Sequence, residues 1–286
     1  STKSSNWLTS ENKAVTTIGA ALREARSVIE TFDAQTLLAF VLGKNRTYLY
    51  THDTDSLQEA ELERFRDYVN RCRSGEPVPY ITGVQYFMDR AYRVSPDVLI
   101  PRYDTETLIE IAEDIIKTQE CRSILDLGTG SGCIACTLAL DFPEVCVRAT
   151  DISQDALNIA QDNARLLQAH VIFSHGAWFD AVNANECFDL IVSNPPYIHP
   201  DDEHMTALTF EPIDALTDHI DGLSHYKCII ANAPAYLKSK GHLVFEHGWD
   251  QGSAIRAFFA KLGLWTNIRT VKDLAGRDRV TLAQLC

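Results

Sequence analysis

The chain has 286 residues, 45% of them hydrophobic, with 26 Lys+Arg against 39 Asp+Glu and a formal net charge of −13 at pH 7. That length accommodates two domains, and no apolar run approaches the ~18 residues of a membrane-crossing helix, so the composition points to a soluble enzyme and away from a membrane protein. The acid is concentrated: residues 1–80 hold 10 Lys+Arg against 11 Asp+Glu and residues 81–286 hold 16 against 28, which disfavours a DNA duplex as the main substrate because phosphate contacts draw on basic side chains.

The opening residues 1–6 are polar and lack the basic-then-apolar pattern of a secretory signal, so a cytoplasmic protein is expected; a start on Ser fits a processed or trimmed N-terminus. Apolar spacing predicts helices over 17–30 and 33–42, with Asp33 as N-cap and Gly43 as stop. A third helix is expected from a capping box at Ser56-Leu57-Gln58-Glu59 to Arg73, completing a small bundle over residues 1–80. Gly75-Glu76-Pro77-Val78-Pro79-Tyr80 cannot continue that helix and marks a linker, in which residues 81–100 read as a β-hairpin turning near Asp89-Arg90. The linker is placed at 81–103, and Asp104 is expected to cap a helix over 107–117.

Ser123-Ile124-Leu125-Asp126-Leu127 is an apolar strand running into Gly128-Thr129-Gly130-Ser131-Gly132 and then a helical stretch from Cys133 to Leu140. Glycines at such a turn let the chain bend tightly and let a ligand approach the main chain. The spacing is G-x-G-x-G and lacks the pattern that seats a pyrophosphate, which favours a compact nucleoside cofactor over a dinucleotide. Asp151 stands 19 residues beyond Gly132, at the end of a strand over 145–150, where a carboxylate can accept both ribose hydroxyls or cap the helix expected over 153–167.

A further apolar run, Phe188-Asp189-Leu190-Ile191-Val192-Ser193, ends in Asn194-Pro195-Pro196-Tyr197. An NH2 group conjugated to a carbonyl or a ring is a poor nucleophile, and an enzyme that alkylates it must hold both N–H bonds. The Asn194 side-chain carbonyl and the Pro195 backbone carbonyl are two suitable acceptors, the consecutive prolines fix φ, and Tyr197 offers a flat face for stacking. Catalytic roles are therefore assigned to Asn194, Pro195 and Tyr197, with Pro196 completing the substrate loop. The glycine loop, Asp151 and this loop end strands one, two and four of one β/α series and converge on the carboxyl edge of a parallel sheet: a methyl donor beside an NH2 acceptor.

Residues 199–204 and 211–222 read as a mobile flap. A helix over 223–237, a strand over 241–246, a helix over 251–262 and two closing strands around 265–271 and 279–282 complete a seven-stranded α/β pattern, its last pair an antiparallel hairpin. The eight cysteines are scattered, and the Cys133-x-x-Cys136 pair falls in a helix that needs small packing residues, so no metal is expected.

With these residues in view the chain closely resembles the HemK (PrmC) family of protein-(glutamine-N5) methyltransferases. The resemblance covers nearly the whole chain. It is carried by Gly75-Glu76-Pro77 with Tyr80-Ile81-Thr82-Gly83, Leu99-Ile100-Pro101-Arg102 with Asp104-Thr105-Glu106, Asp126 to Gly132, Asp151-Ile152-Ser153, Asn194-Pro195-Pro196-Tyr197, Glu211-Pro212 with Ala215-Leu216, Asp221-Gly222-Leu223, and Lys272 through Val280. It implies a Rossmann-like class I S-adenosyl-L-methionine-dependent methyltransferase domain over 104–286, preceded by a helical substrate-recognition domain. The implied substrate is the glutamine of the Gly-Gly-Gln loop of peptide chain release factors. The cofactor would be held by Gly128, Thr129, Gly130, Ser131 and Gly132, with Asp151 on the ribose and Trp178 beside the adenine, and with Asn194 also among the cofactor-binding residues; Asn194, Pro195, Pro196 and Tyr197 would hold the glutamine. A monomer is expected. The chain departs from the family at Tyr103, where Pro is usual, at Asp218-His219, where a Gly pair is usual, and at His247, where Ile is usual. N-P-P-Y is shared with adenine-N6 methyltransferases of nucleic acids, so that class stands as a rival, as does a non-catalytic cofactor-binding protein.

Overall fold

The computed structural model describes residues 16–286, so the reading of the opening residues 1–6 lies outside the described part. The chain forms two compact units, the first ending at Thr82 and the second starting at Gly83.

The first unit is helical. Helix α1 (Ile18–Ala25) is capped by the Thr17 hydroxyl, which accepts the Ala20 N–H at 3.2 Å, and α2 (Thr31–Leu42) ends at Gly43 in the left-handed conformation. The helix expected over 17–30 stops early because Ser27 turns its hydroxyl onto the Glu24 carbonyl and β-branched Val28 and Ile29 follow; α2 begins before Asp33, which is therefore not its cap. A short α3 (Arg46–Thr51), not anticipated, starts where the Asn45 side chain accepts the Tyr48 N–H. The capping box of α4 (Glu59–Arg73) lies two residues beyond the expected place: Glu61 reaches back to the Gln58 N–H at 2.8 Å, while Ser56 bridges to Thr17. Helix α4 ends at Arg73, capped by Ser74 and followed by Gly75 at φ +96°, and α5 (Val78–Thr82) starts just after Pro77 and holds Pro79 in its first turn, which has no use for the missing N–H. Ala34, Leu37, Leu38 and Val41 share one face of α2 and pack with Leu22, Leu49, Phe65 and Val69 into the unit's core.

The second unit opens with a hairpin, β1 (Val84–Phe87) and β2 (Arg90–Arg93), whose turn is Met88-Asp89, both at positive φ as a two-residue loop requires. A 3-10 turn, Tyr103–Thr105, leads into α6 (Glu106–Gln119). Asp104 does not cap this helix; its carboxylate pairs with Arg279 at 3.2 Å. The β/α series follows: β3 (Ser123–Leu127), α7 (Cys133–Asp141), β4 (Cys146–Asp151), α8 (Gln154–Leu167), β5 (Val171–His175) and β6 (Phe188–Ser193). It continues with α9 (Ser224–Asn232), β7 (Leu237–Glu246), α10 (Gly252–Leu262), β8 (Trp265–Lys272) and β9 (Asp278–Leu285). Pro234 interrupts the helix expected to reach 237, and β7 starts earlier than expected.

The sheet order is β5-β4-β3-β6-β7-β9-β8, parallel except for β9, which runs antiparallel to both β7 and β8. The chain leaves β3 for one side of the sheet and returns to its other side at β6, so the β3/β6 boundary is the switch point at which open α/β sheets bind ligands. Buried residues pack on both faces, Leu108, Ile109 and Leu138 on one and Tyr226, Ile229 and Phe259 on the other. Among the described residues no helix is long and apolar enough to cross a membrane.

Candidate active site

At the switch point β3 ends on Leu127, level with Thr150 of β4 and Ser193 of β6. The Ser193 hydroxyl donates to the Leu127 carbonyl at 2.7 Å, which ties the two strand exits together. The glycine loop and the Asn194 loop therefore leave the sheet side by side.

In the glycine loop, Gly130 has φ +55° and no heavy atom within 4 Å of where a Cβ would stand, so its open side faces free space. Its N–H donates to Asp151 Oδ2 at 2.8 Å, and Asp151 Oδ1 accepts the Ser153 N–H at 2.8 Å. Burial raises the Asp151 carboxyl, and these N–H donors oppose the rise. Each oxygen keeps spare lone-pair capacity, so the carboxylate can still accept hydroxyls. Ser153 Oγ, not Asp151, caps α8 by accepting the Ala156 N–H. The Trp178 ring borders Gly128 and contacts the His225 ring at 4.9 Å between centroids.

Asp126 is fully buried; its Oδ2 accepts the Thr129 hydroxyl at 2.6 Å and its Oδ1 has no partner. Burial pushes this carboxyl up to about 7, with the nearby Asp151 charge adding to the effect. The signal for it was an acid inside an otherwise apolar strand.

The Asn194 Nδ2 donates to Thr105 Oγ at 3.5 Å, while its Oδ1 is buried without a partner. Pro195 is buried and Pro196 half-buried. The Tyr197 hydroxyl donates to Glu246 Oε1 at 3.5 Å, and burial raises the phenol well above its ordinary range. Glu246 ends β7, one residue past the position level with Ser193; it is 1% exposed, its Oε2 lacks a partner, and burial pushes its carboxyl up to about 7. The structure thus places the predicted residues 128–132, Asp151, Trp178 and Asn194 to Tyr197 on one edge of the sheet, and adds Thr105, Asp126 and Glu246.

The segment read as a flap contains 3-10 turns at Glu203–Leu208 and Ile213–Ala215 and is pinned to the site. Glu211, buried, pairs with Arg102 and accepts the Ile100 N–H at 3.2 Å. Gln251 donates to the carbonyls of Tyr197 at 2.9 Å and Gly222 at 3.0 Å, joining the N-P-P-Y loop to the end of the flap. A Cβ on Gly222 would stand 2.6 Å from the Tyr197 carbonyl oxygen, and its φ is +70°, so only glycine fits. Burial raises the Asp218 carboxyl, but the Ser224 hydroxyl and the N–H groups of Ile220, Gly222 and Ser224 more than offset that and hold it well below the usual range. His219 occupies a left-handed backbone position, φ +60°, natural to the glycine expected there.

His247 is a core residue: Nδ1 donates to the Gly248 carbonyl and Nε2 accepts the Thr281 hydroxyl, while burial lowers its pKa and keeps it neutral. Arg279 binds Asp273, Asp104 and the His247 carbonyl.

Residues 13–83 match the family model of a PrmC N-terminal domain, and residues 104–267 that of a methyltransferase small domain. A release factor glutamine methyltransferase of Bordetella pertussis is 43% identical over 251 residues, covering 87% of this chain and 93% of its own length. One from Xylella fastidiosa is 44% identical over 268 residues, covering 93% and 97%. Among solved structures, the catalytic domain of human Mettl16 in complex with an RNA hairpin aligns with TM-score 0.55 at 16% identity, covering 80% of this chain and 81% of that one, a likeness of fold alone.

Proposed function

The chain belongs to the release factor glutamine methyltransferase family, and we propose that it transfers a methyl group from S-adenosyl-L-methionine to the side-chain amide nitrogen (N5) of the glutamine in the Gly-Gly-Gln motif of peptide chain release factors. The observation that carries this reading is Asn194 Oδ1, a buried acceptor without a partner at the exit of β6. A buried carbonyl left unpaired is costly unless a ligand completes it, and a primary amide brings the N–H it lacks.

S-adenosyl-L-methionine supplies an electrophilic methyl group on a sulfonium. The residues present fit it: the open side of Gly130 admits a ligand to the main chain, Asp151 can take ribose hydroxyls, and Trp178 can border the base. Gly128, Thr129, Gly130, Ser131, Gly132, Asp151 and Trp178 would hold the cofactor.

Asn194 and the Pro195 carbonyl would take the two N–H bonds of the glutamine, which orients its nitrogen and offsets the positive charge that grows there. Tyr197 would cover the flat amide. Once alkylated the nitrogen has lost its conjugation and is acidic enough to release its proton, so the site needs to orient more than it needs to deprotonate. On this reading the enzyme works with translation termination in the cytoplasm, as a monomer, and the acidic balance of residues 81–286 favours a protein over DNA as its substrate.

Asn194→Ala tests the reading. Turnover on purified release factor should fall by ~10²-fold or more while cofactor affinity changes little, as for loss of one preorganised hydrogen-bonding group. Near-normal turnover in the folded variant would remove the proposed role of this loop.

A further inference from the structure

We propose that Asn163 and Tyr92 are positioning residues for the cofactor: they tie the exit of the glycine loop, and the helix it enters, to the β1–β2 hairpin, which braces the loop in its binding shape. The inference rests on the methyl-transfer reading above and deepens it.

Helix α8 turns a face of small and apolar residues inward, Ala156, Leu157, Ala160 and Ala164, and Asn163 stands among them without exposure. A buried amide on such a face is costly unless its groups are paired. Asn163 pairs them with backbone. Its Oδ1 accepts the Arg93 N–H at 2.7 Å, and its Nδ2 donates to the Arg93 carbonyl at 3.0 Å and to the Ser131 carbonyl at 2.8 Å. The first two bonds engage both backbone groups of Arg93, as a neighbouring strand residue would. The third reaches the glycine loop, so one side chain joins β2 to Ser131.

The loop is fixed closely at this end. The Gly132 N–H donates to the Thr129 carbonyl at 2.9 Å, so the peptide group between Ser131 and Gly132 is held through its carbonyl by Asn163 and through its N–H by Thr129. A peptide plane tied at both ends does not turn over. A Cβ on Gly132 would stand 3.0 Å from the Ala160 Cβ, so α8 backs the loop directly. The hairpin also grips the following helix: the buried Tyr92 hydroxyl lies 2.8 Å from the Thr137 hydroxyl oxygen and 3.3 Å from the Cys133 carbonyl oxygen, both in α7. Asp126 and Asp151 hold Thr129 and Gly130 from within the sheet edge, whereas Asn163 and Tyr92 hold the loop's exit to a hairpin that supplies none of the residues assigned to the cofactor. A loop shaped before binding costs less to order when the ligand arrives, so loss of the tether acts on affinity more than on the chemical step. Linkage makes the effect reciprocal: a cofactor that steadies the loop steadies the hairpin.

The test uses the full-length protein, Asn163→Ala and Tyr92→Phe, with S-adenosyl-L-methionine as ligand. Calorimetry gives cofactor affinity, kinetics on release factor separate KM from kcat, and amide hydrogen exchange read by mass spectrometry follows residues 84–94, 128–137 and 188–193. Asn163→Ala should weaken cofactor binding and raise the cofactor KM by about tenfold, with kcat at saturating cofactor within about twofold of the unaltered enzyme. Without cofactor, residues 128–137 should exchange about tenfold faster in that variant, while residues 188–193 of β6 keep their protection. Added cofactor should slow exchange at residues 84–94 in the unaltered protein and not in Asn163→Ala. Tyr92→Phe, which keeps the ring and loses the hydroxyl, should weaken cofactor binding by about twofold to fivefold and loosen residues 128–137, and it decides the matter if Asn163→Ala does not fold. Unchanged affinity in the folded variants, a loss confined to kcat, or faster exchange spread evenly through the sheet overturns the brace and leaves the methyl-transfer reading in place. A full-length protein that binds no S-adenosyl-L-methionine removes both.

Discussion

Asp151 shows how one side chain answers several demands at once. Its two oxygens hold the Gly130 and Ser153 N–H groups and so shape the loop over which a cofactor would lie. Asp151→Ala should therefore weaken S-adenosyl-L-methionine binding by roughly 1.5–3 kcal/mol, the range for a hydrogen bond to a charged group, with loosening of the loop acting in the same direction. Calorimetry on the folded variant checks this, and unchanged affinity would move the ribose contact to another residue. Asp151 and Asn194 were legible in the sequence because each follows an apolar strand at a fixed position. Glu246 was not: it ends a strand like any other, and its significance comes from burial beside Tyr197, 49 positions away in the chain. The departure at His247 was legible only as a difference; the structure gives its reason, a neutral imidazole spending both nitrogens on Gly248 and Thr281 in the core.

At the level of elements, most parallel strands were readable because each is a short apolar run closed by a turn signal, whereas their order is a finding of the structure: right-handed crossovers fix the face each helix covers and not which strands are neighbours. Helix starts were less readable. The box at Gln58 and Glu61 has no Ser or Thr at the cap, so the nearby Ser56 drew the assignment two residues too early. The segment read as a mobile flap carries two 3-10 turns, and its anchors are long-range: Arg102 to Glu211 and Gln251 to Tyr197 and Gly222. These contacts predict a consequence for Gly222→Ala. The added methyl meets the Tyr197 carbonyl and the left-handed backbone disfavours it, so the protein should lose about 1–3 kcal/mol of stability. Displacement of the N-P-P-Y loop should also raise KM for the protein substrate more than it changes cofactor affinity. A melt and steady-state kinetics decide this; an unchanged Tm together with an unchanged KM would show that the clamp positions nothing.

At the level of the whole molecule, the near-neutral helical unit and the acidic second unit suggest a division of labour, in which the first supplies contacts remote from the chemistry. Such contacts lower the cost of placing one glutamine at the site. A fragment of residues 83–286, if it melts cooperatively, should methylate intact release factor poorly yet treat a short Gly-Gly-Gln peptide about as weakly as the full-length enzyme does. Equal specificity constants on intact release factor would assign recognition to the second unit alone. The most direct measurement is the intact mass of purified release factor after incubation with the full-length protein and S-adenosyl-L-methionine, followed by fragment mapping. The account predicts the addition of one methyl group, located on the glutamine of the Gly-Gly-Gln motif. Unmodified release factor alongside methylated adenine in added nucleic acid would contradict it, as would a methyl group found on any other residue.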